Sequence, residues 1–480
     1  MVDQPSDGTR FTAELLNQLS QPQSNPARLP KVPEFRLSPT KRFNIWNLVL
    51  LVVLVATLLY LAVGGYLATH LVISVTLLAT ILGALIAVYV ASRPSLDEWR
   101  RGFAGRIRGW FWGQLLGTAR VKELALTRFY HVSPEETVFG PLPGVIQRFP
   151  GITGSLCFDV KQQPVPAVQA DRDRIVRVAA GRSKLWDTFP IYRAGALRTG
   201  ANSTTITFVP GRYFDYLGLG QYLEFETDSA ICRVRNIPAL LSLRLGLLSS
   251  GRVDLLCTNL RLPARKYHAP TLRDLSDPDK MCLKLGISNV TLLRNDQGPG
   301  YLFLWVVRSH EVAEAPGEWH VSPAGTFEPG THSEFYSPFS ANPLSTVLRE
   351  FWEECFAGDR SAKDDQHPPP TRDIFQHAEI ATLLDSLREQ HRASWEPTGI
   401  GIDIRNSKVE MTSYLLVHDA TWLREFRPRF QSNWETAGPI RFSPFSVLEV
   451  TRWIKSNSVT PVGRVAMARA AEALQGLLLR

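Results

Sequence analysis

The chain has 480 residues, of which 44 % are hydrophobic and 20 % charged, and its formal net charge is +8. That balance excludes a disordered polymer and leaves room for a membrane segment and several folded units. The positive charge suits an anionic surface or an anionic ligand without choosing between them. Cys157, Cys232, Cys257, Cys282 and Cys355 are scattered and contain no C-x-x-C pair, which argues against a zinc site or a disulfide framework and agrees with a reducing compartment.

Residues 1–44 form a polar stretch with Pro5, Pro22, Pro26, Pro30, Pro33 and Pro39. Proline at this spacing opposes regular helix and sheet, so a mobile cytoplasmic tail is expected. Residues 45–92 read as a two-helix transmembrane hairpin. The runs Leu48 to Val63 and Leu71 to Ala91 contain no Asp, Glu, Lys, Arg or His, and with its flanks each approaches the ~20 residues that cross a hydrocarbon core. Lys31, Arg36, Lys41 and Arg42 precede the hairpin, Arg93, Arg100, Arg101, Arg106 and Arg108 follow it, and the loop between the runs has no Lys or Arg. Positive flanks stay on the cytoplasmic side, which places both termini there. Uncharged spans argue against a proton relay or a transporter. A lone hairpin is too thin to enclose a pore, so any channel requires a homo-oligomer.

Residues 93–127 interleave arginines with Trp99, Phe103, Trp110, Phe111 and Trp112. Beside a membrane span this pattern suits the headgroup layer, with rings dipping in and guanidiniums on lipid phosphates. The lipid bilayer is therefore the expected partner, and no DNA or RNA is expected. Residues 128–283 read as a β-rich middle region, because ITGSLCFDV, STTITFVPG, YLEFE and AICRVRNI are β-branched or alternating runs broken by Gly, Pro, Asn and Asp. Within it, Arg212 and Tyr213 open an aromatic and ionisable stretch that suits a nucleotide pocket. The alternative is that Tyr213, Phe214 and Tyr216 pack in a core while Arg212 pairs with Asp215.

From Lys284 a new unit begins. KLGISNVTLLRN and YLFLWVV flank a Gly/Pro turn and read as a strand hairpin. A loop with Gly325 follows, then a helix from Asn342 to Gly358. Asn342 with Pro343 makes an N-cap and first position, Leu344, Val347, Leu348 and Phe351 recur at helical spacing, and Gly358 supplies a stop. Glu350, Glu353 and Glu354 fall on one helix face. They are either a solvated acidic face paired with arginine or an oxygen ligand set for Mg²⁺ that polarises a diphosphate. IGIDIRNSK and EMTSYLLVHD read as later strands, Glu435 in SNWETAG as a distant acid or base, and Val462 to Leu479 as a helix packed on the body.

The hairpin, loop and helix are similar to the Nudix family, whose box is G-x5-E-x7-R-E-U-x-E-E-x-G-U with U aliphatic. Gly325 resembles the loop glycine, and Arg349, Glu350, Glu353 and Glu354 match the helix core. The resemblance implies that Glu350, Glu353 and Glu354 ligate a divalent cation, with Gly325 shaping the metal loop and Arg349 orienting the carboxylates. Glu353, Glu354 and Glu435 would then be the catalytic candidates, and Arg349, Arg212 and Tyr213 the ligand-binding ones. The loop from Gly325 to Arg349 is ten residues longer than the box, Ala341 stands in the register of the box's first glutamate, and Phe356 replaces its glycine.

Two membrane helices ahead of such a unit resemble the 2TM–NUDIX effectors of CBASS antiphage systems, the CD-NTase-associated membrane proteins with a degenerate Nudix domain. The fold this implies is α+β: a two-helix transmembrane hairpin, a β-rich middle region, and a Nudix-like α/β/α sandwich at 284–480. The function it implies is an effector of the cell inner membrane that senses a cyclic nucleotide and breaches that membrane by hairpin oligomerisation. The alternative is a membrane-anchored, Mg²⁺-dependent Nudix pyrophosphohydrolase acting on a nucleoside diphosphate derivative.

Overall fold

The structure is a computed structural model. It describes residues 118–133, 135–142, 146–148, 155–160, 174–175, 190–199, 203–233, 260–309, 312, 314–329, 340–356, 371–389 and 391–478. The expected tail at 1–44, the hairpin at 45–92 and nearly all of the segment at 93–127 lie outside these residues, as does Gly358. Among the described residues no helix is long and apolar enough to cross a membrane.

The described part is mixed α and β. Helix α1 (Thr118–Phe129) comes first. Strands β1 (Glu136–Thr137) and β2 (Gly140–Pro141) make a small hairpin, and β3 (Ile146–Arg148) follows. Next come β4 (Ser155–Val160), β5 (Pro190–Thr199) and β6 (Ser203–Arg212), which form a three-stranded sheet in the order β4-β6-β5. Pro210 and Gly211 do not end β6 as its turn-like sequence suggests. They pair with Tyr192 and Ile191 of β5, beyond the last residue that β4 reaches. A proline is tolerated in a strand where its missing N–H faces no partner.

Helix α2 (Tyr222–Arg233) corrects the strands expected over YLEFE and AICRVRNI, since it covers all of the first and the start of the second. Leu223, Thr227 and Ile231 are all buried, and their spacing of four places them on one helical face. A five-residue window holding Leu and Phe two apart mimics strand alternation, and only the longer window shows the helical period. Helix α3 (Pro263–His268) follows, and its Arg265 is fully buried. That side chain donates to the carbonyls of Ile404 and Arg405 at 2.7 and 2.6 Å and to Tyr130 Oη at 3.0 Å. The middle region is thereby tied to a turn of the main sheet.

The main sheet is built around β7 (Leu285–Arg294) and β8 (Tyr301–Val307), the hairpin expected from sequence. It continues with β9 (Trp319–Val321), β10 (Ala324–Thr326), helix α4 (Pro343–Cys355), helix α5 (Ala378–Arg388), β11 (Ala393–Asp403), β12 (Lys408–Val417), helix α6 (Ala420–Phe426), β13 (Arg441–Pro444), helix α7 (Val447–Lys455) and helix α8 (Pro461–Ala473). Strand order is β13-β8-β7-β12-β11-β3, with β10 also paired to β7 and β9 to β8. Strands β7 and β12 run parallel, and the other pairs of this sheet are antiparallel.

Helices cover both faces, so β7 is buried on both sides. Ile287 and Leu293 pack with Leu344, Val347, Leu348 and Phe351 of α4, while Val290 and Leu292 pack with Trp453 of α7 and Met467 of α8. Such a strand reads as a near-continuous apolar run, as LGISNVTLLR does. Cys282 and Cys355 are free and buried. Phe351 is fully buried, with ring centroids 5.5 Å from Phe356 and 5.9 Å from Trp422. Phe351→Ala is expected to remove about 3–5 kcal/mol, read as a lower urea midpoint at unchanged slope. A midpoint equal to wild type would show that α4 is not docked by this ring.

Candidate functional site

Helix α4 begins where the sequence places it. Asn342 accepts a hydrogen bond from Leu344 N at 3.0 Å, and Pro343 takes the first helical position, where a missing N–H leaves no bond unmade. The helix turns its apolar residues to the sheet and its carboxylates to the loop carrying β10. Gly325 lies on β10 opposite Ile287 of β7. A Cβ at Gly325 would overlap the Glu350 carboxyl, so glycine is what lets that carboxylate rest on the strand.

Arg349 stands at the centre, 3 % exposed. Its Nη2 donates to the Thr326 carbonyl at 2.9 Å and to Glu350 Oε1 at 2.6 Å. Its Nη1 lies 3.4 Å from Glu353 Oε2 and 3.8 Å from Glu328 Oε2. One guanidinium therefore faces three carboxylates. Glu354, also buried, accepts from Ser322 Oγ at 2.8 Å and from Ala324 N at 3.3 Å. Glu435 presents its backbone carbonyl to Ser309 N at 2.7 Å, and its charge acts on both Glu354 and Glu328.

These surroundings hold protons on the acids. Burial pushes Glu350 well above the usual carboxylate range; Arg349 opposes the shift, and the charges of Glu353, Glu328 and Glu354 add to it. Burial, then the Glu435 charge, raises Glu354 to about 8, although the Ser322 hydroxyl favours its ionised form. Burial raises Glu328 to about 7 against the pull of Arg349. Glu328 keeps 24 % of its side chain exposed, so water softens its share relative to Glu354.

The fold thus gathers Gly325, Arg349, Glu350, Glu353 and Glu354, and it brings the charge of Glu435 within reach. It adds Glu328, which sequence reasoning missed. Counting back from Arg349 leads to Ala341, which is apolar and buried. The carboxylate instead precedes the long loop, three residues after Gly325. A search for any acid near the loop glycine, rather than at fixed register from the arginine, would have found it. Phe356, in place of the box glycine, packs its ring 4.8 Å from Phe430. Arg212 and Tyr213 sit in a different setting. Arg212 binds the buried Asp215 through Nε at 3.3 Å and Nη2 at 3.1 Å, and the Tyr213 ring lies 5.0 Å from Lys284 Nζ. The pairing of Arg212 with Asp215 is thus the arrangement present.

No protein-family model and no curated protein matches the chain.

Among the described residues no group of three or more His, Cys, Asp or Glu side chains already stands in metal-holding geometry. Arg349 lies among the acids that would have to converge. The donor set nonetheless fits a hard divalent cation. It offers oxygen donors only, and one guanidinium faces three of its carboxylates. Each raised acid binds its proton more tightly folded than unfolded. The stability this contributes is full below the ordinary carboxylate range and is lost as pH rises through the folded values. The depressed acids Glu314 and Asp419 titrate below that window, whereas His320 and His418, whose pKa values burial lowers, act with the opposite sign as pH rises toward the ordinary histidine value. In EDTA the melting temperature of wild type relative to Glu354→Gln should fall from about pH 5 to about pH 9, because the other titrating groups are common to both proteins. A difference between the two proteins that stays constant or rises over the same span would contradict the raised value of Glu354.

Proposed function

We propose that the chain is a membrane effector of the CBASS type, in which a Nudix-like body binds a cyclic nucleotide and a hairpin at 45–92 acts on the inner membrane. The observation that carries the ligand-binding half is the buried carboxylate cluster around Arg349, seated against Gly325 in the register of the Nudix helix. The membrane half rests on the two uncharged runs and their basic flanks.

In this proposal Glu328, Glu350, Glu353 and Glu354 hold the cation, for which Mg²⁺ suits an all-oxygen set that leaves room for phosphate and water. When bound, such a cation would supply positive charge that offsets the carboxylates and attracts a phosphate. Arg349 fixes the rotamers of Glu350 and Glu353, so the carboxylates meet the ligand in one arrangement. Ser322 and the Ala324 amide fix Glu354 in the same way. Ala341 and Phe356 remove two box positions, which favours a receptor over an efficient hydrolase. Ligand-driven assembly would cluster the hairpins, and Gly64, Gly65 and Gly83 would allow close helix approach.

A second reading is a membrane-anchored, Mg²⁺-dependent pyrophosphohydrolase. It is favoured by Glu354 at about 8, since an acid poised near the working pH exchanges protons most readily. The two are separated by one pair of assays on the full chain. In cells, supplying the cognate cyclic nucleotide is expected to collapse the membrane potential, and Glu353→Gln is expected to abolish the collapse. In vitro, the receptor proposal expects Mg²⁺-dependent nucleotide binding without phosphate release. Release from a nucleotide panel, lost in Glu353→Gln, with membrane potential unchanged in cells where the protein is inserted, would overturn the effector and leave the hydrolase.

A further inference from the structure

A second group of buried charges lies at the start of β7, outside the carboxylate cluster. Glu314 is held there by two lysines. Its Oε1 pairs with Lys284 Nζ, and its Oε2 lies 3.3 Å from Lys408 Nζ. Arg308 Nε donates to the Glu314 backbone carbonyl at 3.0 Å. Lys284 is 2 % exposed and Lys408 13 %, whereas Glu314, the acid they share, is 18 % exposed. Lys408 also reaches Glu410 Oε2 at 3.1 Å, and Glu410 is itself held by Ser288 at 2.6 Å. The rings of Tyr216 and Tyr213 flank the Lys284 ammonium at 4.4 and 5.0 Å. Gly286 leaves room here for the ends of the Lys408 and Glu410 side chains, which a Cβ would displace.

The pairing is lopsided. Each ammonium carries three donors, and a carboxylate offers two oxygens and one charge. Burial lowers the pKa of Lys284 even with Glu314 at its side, and the neighbouring Lys408 adds to that. Burial opposes the charge on Glu314 too, but Lys284 and Lys408 overcome it and hold that carboxyl below the usual range. Three cations, Lys284, Lys408 and Arg308, thus stand around two carboxylates, Glu314 and Glu410. A phosphate, with roughly twice the charge and more acceptor oxygens, satisfies this group better than a carboxylate does. The acid is the most exposed of the three partners.

We propose that Lys284 and Lys408 form a phosphate seat that Glu314 fills in this state, and that a phosphate-bearing small molecule exchanges with that carboxylate. The seat borders the carboxylate cluster. Phe327 N donates to the Leu285 carbonyl at 3.0 Å, which sets Glu328 beside Lys284, and the Lys284 charge acts on Glu328. Its depth favours a soluble phosphate over a lipid headgroup. It does not depend on a cation at Arg349, so the test is run without one.

The test titrates inorganic pyrophosphate into the full chain in detergent and EDTA, followed by calorimetry. Glu314→Gln is expected to bind about tenfold tighter than wild type, as an internal competitor worth about 1.4 kcal/mol is removed. Lys408→Gln is expected to bind about tenfold more weakly for the matching loss of a charge-assisted contact. In wild type, where folding is not in question, pyrophosphate is expected to speed amide exchange across 314–318. Equal affinity in all three proteins, unchanged exchange in wild type, or a response to phosphatidylserine vesicles but not to pyrophosphate would each overturn the proposal. EDTA keeps the outcomes apart: failure here leaves the cation proposal standing, and loss of Mg²⁺-dependent nucleotide binding leaves the seat standing.

Discussion

Arg349 is the interaction on which the candidate site depends. A buried guanidinium faces Glu328, Glu350 and Glu353, and the charges of Glu328, Glu353 and Glu354 add at Glu350. Removing the arginine would leave like charges in a low-dielectric pocket, where burial and mutual repulsion both favour the protonated acids. With it, the cluster is held together yet remains under-neutralised. That partial compensation is what a purely structural ion pair avoids, because a buried charge without its full complement of partners is destabilising. The site is therefore ordered and still short of positive charge.

The rest of the fold serves that arrangement. Helix α4 docks on β7 through Leu344, Val347, Leu348 and Phe351, which fixes its rotation and aims its carboxylates at β10. Strand β10 pairs with β7 in a register that places Gly325 under Glu350. Lys284, at the core of the proposed phosphate seat, immediately precedes the same β7. One strand, buried on both faces, thus sets the positions of the carboxylate cluster and of the lysines beside it. Two oppositely charged groups that share a strand are suited to a ligand carrying more than one charged moiety.

Much of this was legible in residue pattern. The β7–β8 hairpin announced itself as two apolar runs around a Gly/Pro turn. Asn342 and Pro343 marked the start of α4, and the spacing of its apolar residues fixed the face on which Glu350, Glu353 and Glu354 lie. These are local signals, set by backbone sterics and helical period. Glu328 and Glu314 were not legible, because each lies in a loop and gains its role only when strand pairing brings it to Arg349 or to Lys284. Helix α2 was misread because YLEFE alternates over a window too short to separate the two periods. Arg212 was compatible with two partners in sequence, and the fold supplies the nearer one, Asp215. The fold brings Gly325 against Glu350, whereas Ala341, counted back from Arg349, is apolar and buried.

A divalent cation that enters this cluster must displace the protons that burial keeps there, which gives the central claim a direct signature. Protons released on adding Mg²⁺ to lightly buffered full-length protein near pH 7.5 can be counted with a pH-stat, at about one per acid displaced. The account predicts net release on Mg²⁺ addition, sharply reduced in Glu354→Gln. Mg²⁺ addition with no proton release in either protein would show that the acids around Arg349 do not hold a cation.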